Sequence, residues 1–174
     1  GEAPSGFAGG GGDASPYKRR GENMEIRLMV DGIVTDPNAE SQMVILRDEK
    51  NKEILPIWVG AVEGNAIRFA LEKIVPPRPM THDLLKNMID SLGAKIKMIL
   101  VNEIKNNTYY ASIYLECKGA EQVIDSRPSD AIALALRTDS PIYATEDVLK
   151  KRSPESLDEW LEKLKPKDFD KYDA

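Results

Sequence analysis

The chain has 174 residues, 41% of them hydrophobic and 30% charged, which suits one globular domain with a tail and leaves no room for a second full domain. Its formal charge of −5 and pI near 5.1 argue against a generally basic surface of the kind that holds nucleic acid. The single cysteine, Cys117, excludes an internal disulfide framework and a cysteine-rich zinc site, and fits a reducing, cytoplasmic setting.

Residues 1–23 are rich in Gly, Ala, Ser and Pro and carry a short basic cluster, Lys18, Arg19 and Arg20. Such a segment buries too little apolar surface to offset its ordering entropy, so it is predicted to be a disordered tail or a leftover of expression, with Met24 as a natural start. The folded domain is expected over residues 24–150. Ile26, Leu28 and Val30 alternate with more polar neighbours, and Asp36, Pro37 and Asn38 supply turn chemistry before two further apolar runs, Gln42 to Leu46 and Ile54 to Val59. Three strands are predicted there. From Ala61 to Lys73 the spacing becomes helical, with Pro76 and Pro77 as terminators. Thr81 stands where a cap belongs, Asp83 falls in the first turn, and Leu84, Leu85, Met88, Ile89 and Leu92 form a stripe ending at Gly93, which marks a second helix.

The next stretch yields three more strands, Ala94 to Ile104, Thr108 to Cys117 and Glu121 to Ile124. Asn106 and Asn107 between the first two are a hairpin signal, because asparagine tolerates the positive φ of a tight turn. Pro128 suits the first turn of a buried helix that continues through Arg137. Pro141 to Ala144 is expected to be a short edge strand. Within 151–174, Ser153 and Pro154 precede Leu157, Trp160, Leu161 and Leu164 at helical spacing, so a C-terminal amphipathic helix and tail are expected. No signal peptide is visible, and the apolar runs fall well short of the roughly 20 residues of a bilayer-spanning helix, so no membrane partner is expected.

Two helices echo one another: Gly64-Asn65-Ala66-Ile67 with Ala70-Leu71, and Ser129-Asp130-Ala131-Ile132 with Ala135-Leu136. Each follows three strands. The fold expected is therefore α+β, two β-β-β-α units whose strands form one mixed sheet, curled toward a barrel, with the alanine-rich helices packed together. Exposed edge strands in so small a sheet favour a homo-oligomer.

Chemistry concentrates where loops meet helix starts, in Arg78-Pro79-Met80-Thr81-His82-Asp83 and Asp125-Ser126-Arg127-Pro128-Ser129-Asp130. An arginine followed by the free amides of a helix start suits a phosphate or carboxylate. Arg78, Thr81, Arg127 and Ser129 are the candidate substrate-binding residues. The plainer reading makes Thr81 and Ser129 helix caps and pairs the arginines with Asp83 and Asp130. His82, the one histidine, is a candidate general base or acid, with Asp83, Asp125 and Asp130 as candidate catalytic carboxylates. Glu63, Asp125 and Asp130 are candidate oxygen ligands for Mg²⁺ or Mn²⁺. No G-x-S-x-G elbow, P-loop or H-E-x-x-H occurs, which disfavours those mechanisms.

Three strings then fall into place together: Leu55-Pro56-Ile57-Trp58-Val59-Gly60 with Glu63, Arg78 to Leu84, and Asp125 to Ala135. In this order they resemble the signature blocks of the bifunctional nuclease domain family of bacteria and plants, over roughly Met24 to Val148. The resemblance implies an α+β fold and hydrolysis of phosphodiester bonds in DNA and RNA. Two functions follow. One is a divalent-metal-assisted nuclease. The other, favoured by the acidic charge, is a non-enzymatic module that binds an anionic ligand or assembles with a partner chain.

Overall fold

The alternating runs become strands in a computed structural model that describes residues 17–21, 23–38 and 40–152. In chain order, β1 (Tyr17–Arg20), β2 (Asn23–Thr35), β3 (Ser41–Arg47) and β4 (Ile54–Gly60) lead into α1 (Ala61–Leu71) and α2 (Thr81–Ser91). There follow β5 (Ala94–Lys105), β6 (Thr108–Cys117), β7 (Ala120–Ser126), α3 (Pro128–Thr138), β8 (Ile142–Thr145) and α4 (Glu146–Lys151). One eight-stranded mixed sheet runs in the order β4-β3-β2-β8-β5-β6-β7, with β1 paired to β2. The architecture is α+β, built from the two expected units, β2-β3-β4-α1 and β5-β6-β7-α3. It is open, with β4 and β7 at opposite ends, and so is not a barrel.

The expected edge strand is instead central. β8 pairs antiparallel with β2 and parallel with β5, and its four residues are all buried. A run that is apolar on both faces suits a position covered on both sides. Pro141 precedes the strand, so its missing N–H costs no ladder bond, and its carbonyl accepts the Ile99 N–H at 3.0 Å. The end of the glycine-rich tail also departs from expectation: Tyr17 to Arg20 pair with β2, Tyr17 opposite Ile26. The helix expected after Ser153 lies outside the described residues.

Local chemistry explains the joints. Asn106 and Asn107 have φ of 52° and 60°, and Lys118 and Gly119 have φ of 52° and 78°, so both hairpins of the second unit close through two left-handed residues. Helix α1 ends two residues before Lys73, the expected terminus. Lys73 adopts φ 55° while the Ile74 N–H bonds to the Phe69 carbonyl at 2.9 Å, a closure that exhausts the last carbonyls before the prolines.

Helices α1, α3 and α4 cover one face of the sheet around Leu46, Leu55, Ile57, Ile67, Ile99 and Ile132. Burial of a side chain such as Ile67 or Ile132 contributes about 1.5–3 kcal/mol. Ala131, Ala133 and Ala135 are buried along α3, and such small side chains permit close approach. The opposite face carries separate clusters, Met43 with Ile45, and Met98 with Leu100, Tyr114 and Tyr143. Helix α2 buries none of its residues and leaves Leu84, Leu85, Met88 and Leu92 exposed. Among the described residues, no helix is long and apolar enough to cross a membrane.

Candidate functional site

Helices α1, α2 and α3 share a pattern at their starts: the third residue is acidic, namely Glu63, Asp83 and Asp130. A carboxylate there meets unpaired amides and the positive end of the helix dipole. The capping residues themselves are Gly60, Met80 and Arg127, none with a side-chain cap bond. Thr81 and Ser129 are therefore the first and second helical residues and not caps, which corrects the plainer sequence reading. Asp83 does the corresponding work from inside α2, accepting the Met80 N–H at 3.0 Å.

The two sequence clusters meet. His82 Nε2 lies 2.9 Å from Asp130 Oδ1, joining residues 48 positions apart. Arg127 donates through Nε to Asp130 Oδ2 at 2.8 Å and through Nη2 to Asp130 Oδ1 at 3.2 Å. Its Nη1 reaches across to Glu63 Oε1 at 3.1 Å. One guanidinium thus links the starts of α1 and α3, while His82 ties α2 to the same carboxylate. Next to it, Arg137 Nε donates to Asp83 Oδ1 at 2.7 Å and Arg137 Nη1 to the Ala133 carbonyl at 3.0 Å. Since Asp130 and Arg137 lie two turns apart on one face of α3, the start of α2 is clasped along that face by both.

Electrostatics follow from the contacts. The Glu63 carboxyl is held below its ordinary range by its own backbone amide and then by Arg127, against opposition from burial. Asp83 is lowered chiefly by the Arg137 bond. For Asp130, burial pushes upward most strongly, yet the bonds from Arg127 and His82 together outweigh it and leave the group lowered. Arg127 is raised by Asp130 and then by Glu63. Two carboxylates share one guanidinium, so with His82 neutral the cluster keeps one uncompensated negative charge. Ionised Asp130 favours the imidazole tautomer that places the proton on Nε2, which leaves Nδ1 as the basic nitrogen. His82 is 13% exposed at its side chain, whereas Arg127 is 64% exposed and open to an incoming anion.

Other candidates fall elsewhere. Asp125 is exposed in β7 opposite Ser112. Ala111 and Ile113 face the helices, so Ser112 and its partner Asp125 point to the other side of the sheet. The expected trio Glu63, Asp125 and Asp130 is therefore not assembled. Among the described residues, no three His, Cys, Asp or Glu side chains gather to hold a metal. Arg78 is exposed and makes no ion pair among the described residues, Thr81 is exposed, and Ser129 is buried. Arg137, absent from the sequence candidates, joins the site through Asp83; its spacing from Asp130 on one helix face was the available signal. A notch of about 370 Å³ lined by Arg27, Met29, Leu136, Asp139 and Pro141 lies toward the C-terminal end of α3 and contains none of the six networked residues. The titratable groups meet instead at the helix starts.

The fold and this cluster define an α+β domain that binds a histidine, two carboxylates and an arginine across three helix starts, with groups suited to proton transfer beside an anion. By comparison of sequences, the chain belongs to the bifunctional nuclease domain family, whose profile matches residues 44–156. It is 34% identical over 125 residues to an uncharacterised protein of Mycobacterium tuberculosis strain H37Rv, covering 72% of this chain and 73% of that one. It is 30% identical over 115 residues to bifunctional nuclease 1 of Oryza sativa subsp. indica, covering 64% of this chain and 35% of the rice protein. With bifunctional nuclease 2 of Oryza sativa subsp. japonica the identity is 32% over 109 residues, 60% of this chain and 34% of the relative.

Proposed function

We propose that the chain hydrolyses phosphodiester bonds in DNA and RNA. The observation that carries this reading is the 2.9 Å contact between His82 and Asp130, made inside a cluster that also offers an exposed guanidinium. Asp130 orients His82, whose Nδ1 takes a proton from water as the water oxygen attacks phosphorus. The phosphorus–oxygen bond to the leaving sugar oxygen breaks, and that oxygen takes a proton from the imidazolium or from solvent. Arg127 binds the non-bridging oxygens, helped by the amides at the start of α3, and Arg78 adds a second cation from the loop before α2.

Divalent assistance by Mg²⁺ or Mn²⁺ belongs to the same proposal. Glu63 and Asp130 would be the ligands of such a hard cation once the Arg127 guanidinium that now spans them turns to the substrate phosphate, with water and substrate supplying the other oxygens. Such an ion supplies charge neutralisation at the phosphoryl group when bound. A cytoplasmic homo-oligomer is likewise part of the proposal, motivated by the edge strands β4 and β7 and the exposed stripe of α2; sedimentation as a monomer at micromolar concentration would remove the oligomer.

The deciding experiment is turnover of DNA and RNA by highly purified protein with Mg²⁺ or Mn²⁺, beside His82→Ala and Asp130→Ala. We expect both variants to lose about 10²- to 10⁴-fold, the usual worth of general acid–base catalysis. Equal cleavage by all three preparations would assign the activity to a contaminant. Binding of oligonucleotide without turnover would leave the anion-binding module as the function.

A further inference from the structure

The charged cluster has an uncharged counterpart on α1. Gln42, only 5% exposed, extends from β3 and donates through Nε2 to Asn65 Oδ1 at 3.4 Å. The same Asn65 oxygen accepts from Arg68 Nη2 at 2.9 Å. Gln42 Oε1 has no hydrogen-bond partner, and it sits where a side chain at Gly64 would begin, 1.9 Å from that Cβ position. A buried amide is expensive to desolvate. Here its one hydrogen bond fixes the residue that fixes Arg68.

The arginine is positioned but not neutralised. Arg47, Arg127, Arg137 and Arg152 each meet a carboxylate within 3.1 Å, whereas Arg68 meets none among the described residues. Glu72, one turn further on, is exposed and forms no bond with it. Lys73 and Arg78 follow at steps of five residues, both exposed and neither ion-paired among the described residues. A planar fork held by one neutral amide, with its charge uncancelled, is a receptor for an oxyanion.

We propose that Arg68 binds a phosphate of the nucleic-acid backbone outside the reacting bond, with the Gln42 and Asn65 amides setting its orientation. The inference rests on the hydrolase reading for its substrate class. It differs in what it requires, since Arg68 acts on binding and not on the chemical step.

The test uses the full chain and short single-stranded DNA and RNA oligonucleotides, with affinity measured against salt concentration in EDTA. Replacing Arg68 by Ala should weaken binding roughly two- to five-fold, the range of one partly exposed charged contact. The slope of log affinity against log salt should fall by about 0.7, one phosphate contact on a single strand. Arg68→Gln, which keeps a donor for Asn65 and removes the charge, should match Arg68→Ala, and Arg68→Lys should recover part of the salt slope. With Mg²⁺ or Mn²⁺ present, KM for oligonucleotide should rise, while turnover of bis(p-nitrophenyl) phosphate, which has no neighbouring phosphate, stays unchanged. Unaltered affinity and slope in Arg68→Gln would overturn the proposal, as would a natural chain that binds neither oligonucleotide. Absence of turnover combined with Arg68-dependent binding would sink the hydrolase reading and leave Arg68 as a phosphate ligand.

Discussion

Asn65 and Asp130 match in the echoed sequence of the two β-β-β-α units, each following a buried small residue and preceding a buried Ala-Ile pair, although Asp130 is the third residue of its helix and Asn65 the fifth. Asn65 clasps an amide and an arginine; Asp130 clasps a histidine and an arginine. The scaffolds are alike, but an amide cannot change charge at ordinary pH and a carboxylate can hold an imidazole in one tautomer. The difference of one atom at Cγ thus separates a positioning clasp from a potential acid–base site.

The sharpest way to break that contrast is to make the second unit resemble the first. Asp130→Asn should keep the fold and lower nuclease turnover about 10²- to 10⁴-fold, because it removes the anion that selects the His82 tautomer. Steady-state kinetics beside circular dichroism would check it; unchanged turnover would show that His82 acts without this partner.

Asp83→Asn comes next. It leaves the Arg137 guanidinium, 8% exposed, with a weaker partner, and should cost about 1.5–3 kcal/mol, the range for hydrogen bonds to charged groups. Because folding lowers the Asp83 pKa from its ordinary 3.8, its stabilisation is fully present above that value and fades as pH falls through the folded-state pKa. Chemical denaturation at neutral and acidic pH should show the variant closing the gap with the natural chain in acid; a constant gap would contradict the assignment.

Gly64→Ala tests the amide clasp. Alanine usually stabilises a helix interior relative to glycine, by about 0.5–1 kcal/mol. Here the new Cβ meets Gln42 Oε1 at 1.9 Å, so we expect destabilisation of about 1–3 kcal/mol from overpacking. The corresponding Ser129→Ala should be milder. A stabilised Gly64→Ala chain would mean that Gln42 is free to move. The smallest effect is expected for Asp125→Ala, which should leave turnover within about two-fold, since substitutions away from the site are usually close to neutral. Loss comparable with Asp130→Asn would return Asp125 to the site.

Most strands and the three longer helices were legible because each advertises a local period, and the Asn106-Asn107 turn because its chemistry demands it. The meeting of His82 with Asp130 needs the packing of α2 on α3, which no local period records. Asp125 is expected in the loop before α3 because the apolar alternation stops at Ile124, but pairing with β6 carries β7 on through Ser126 and turns the Asp125 side chain to the far face of the sheet. β8 looked like an edge because four residues hold no record of the two strands they will separate. α4 is too short for periodicity to reveal.

That central strand has a consequence for assembly. The two three-stranded halves are complete in sequence by Ser126, yet within the sheet they join only through residues 142–145. During synthesis both inner edges, on β2 and on β5, stand unsatisfied until β8 leaves the ribosome, and unpaired edges invite aggregation. Nascent chains stalled before Ile142 should therefore aggregate on release, whereas those carrying β8 and α4 should stay in solution.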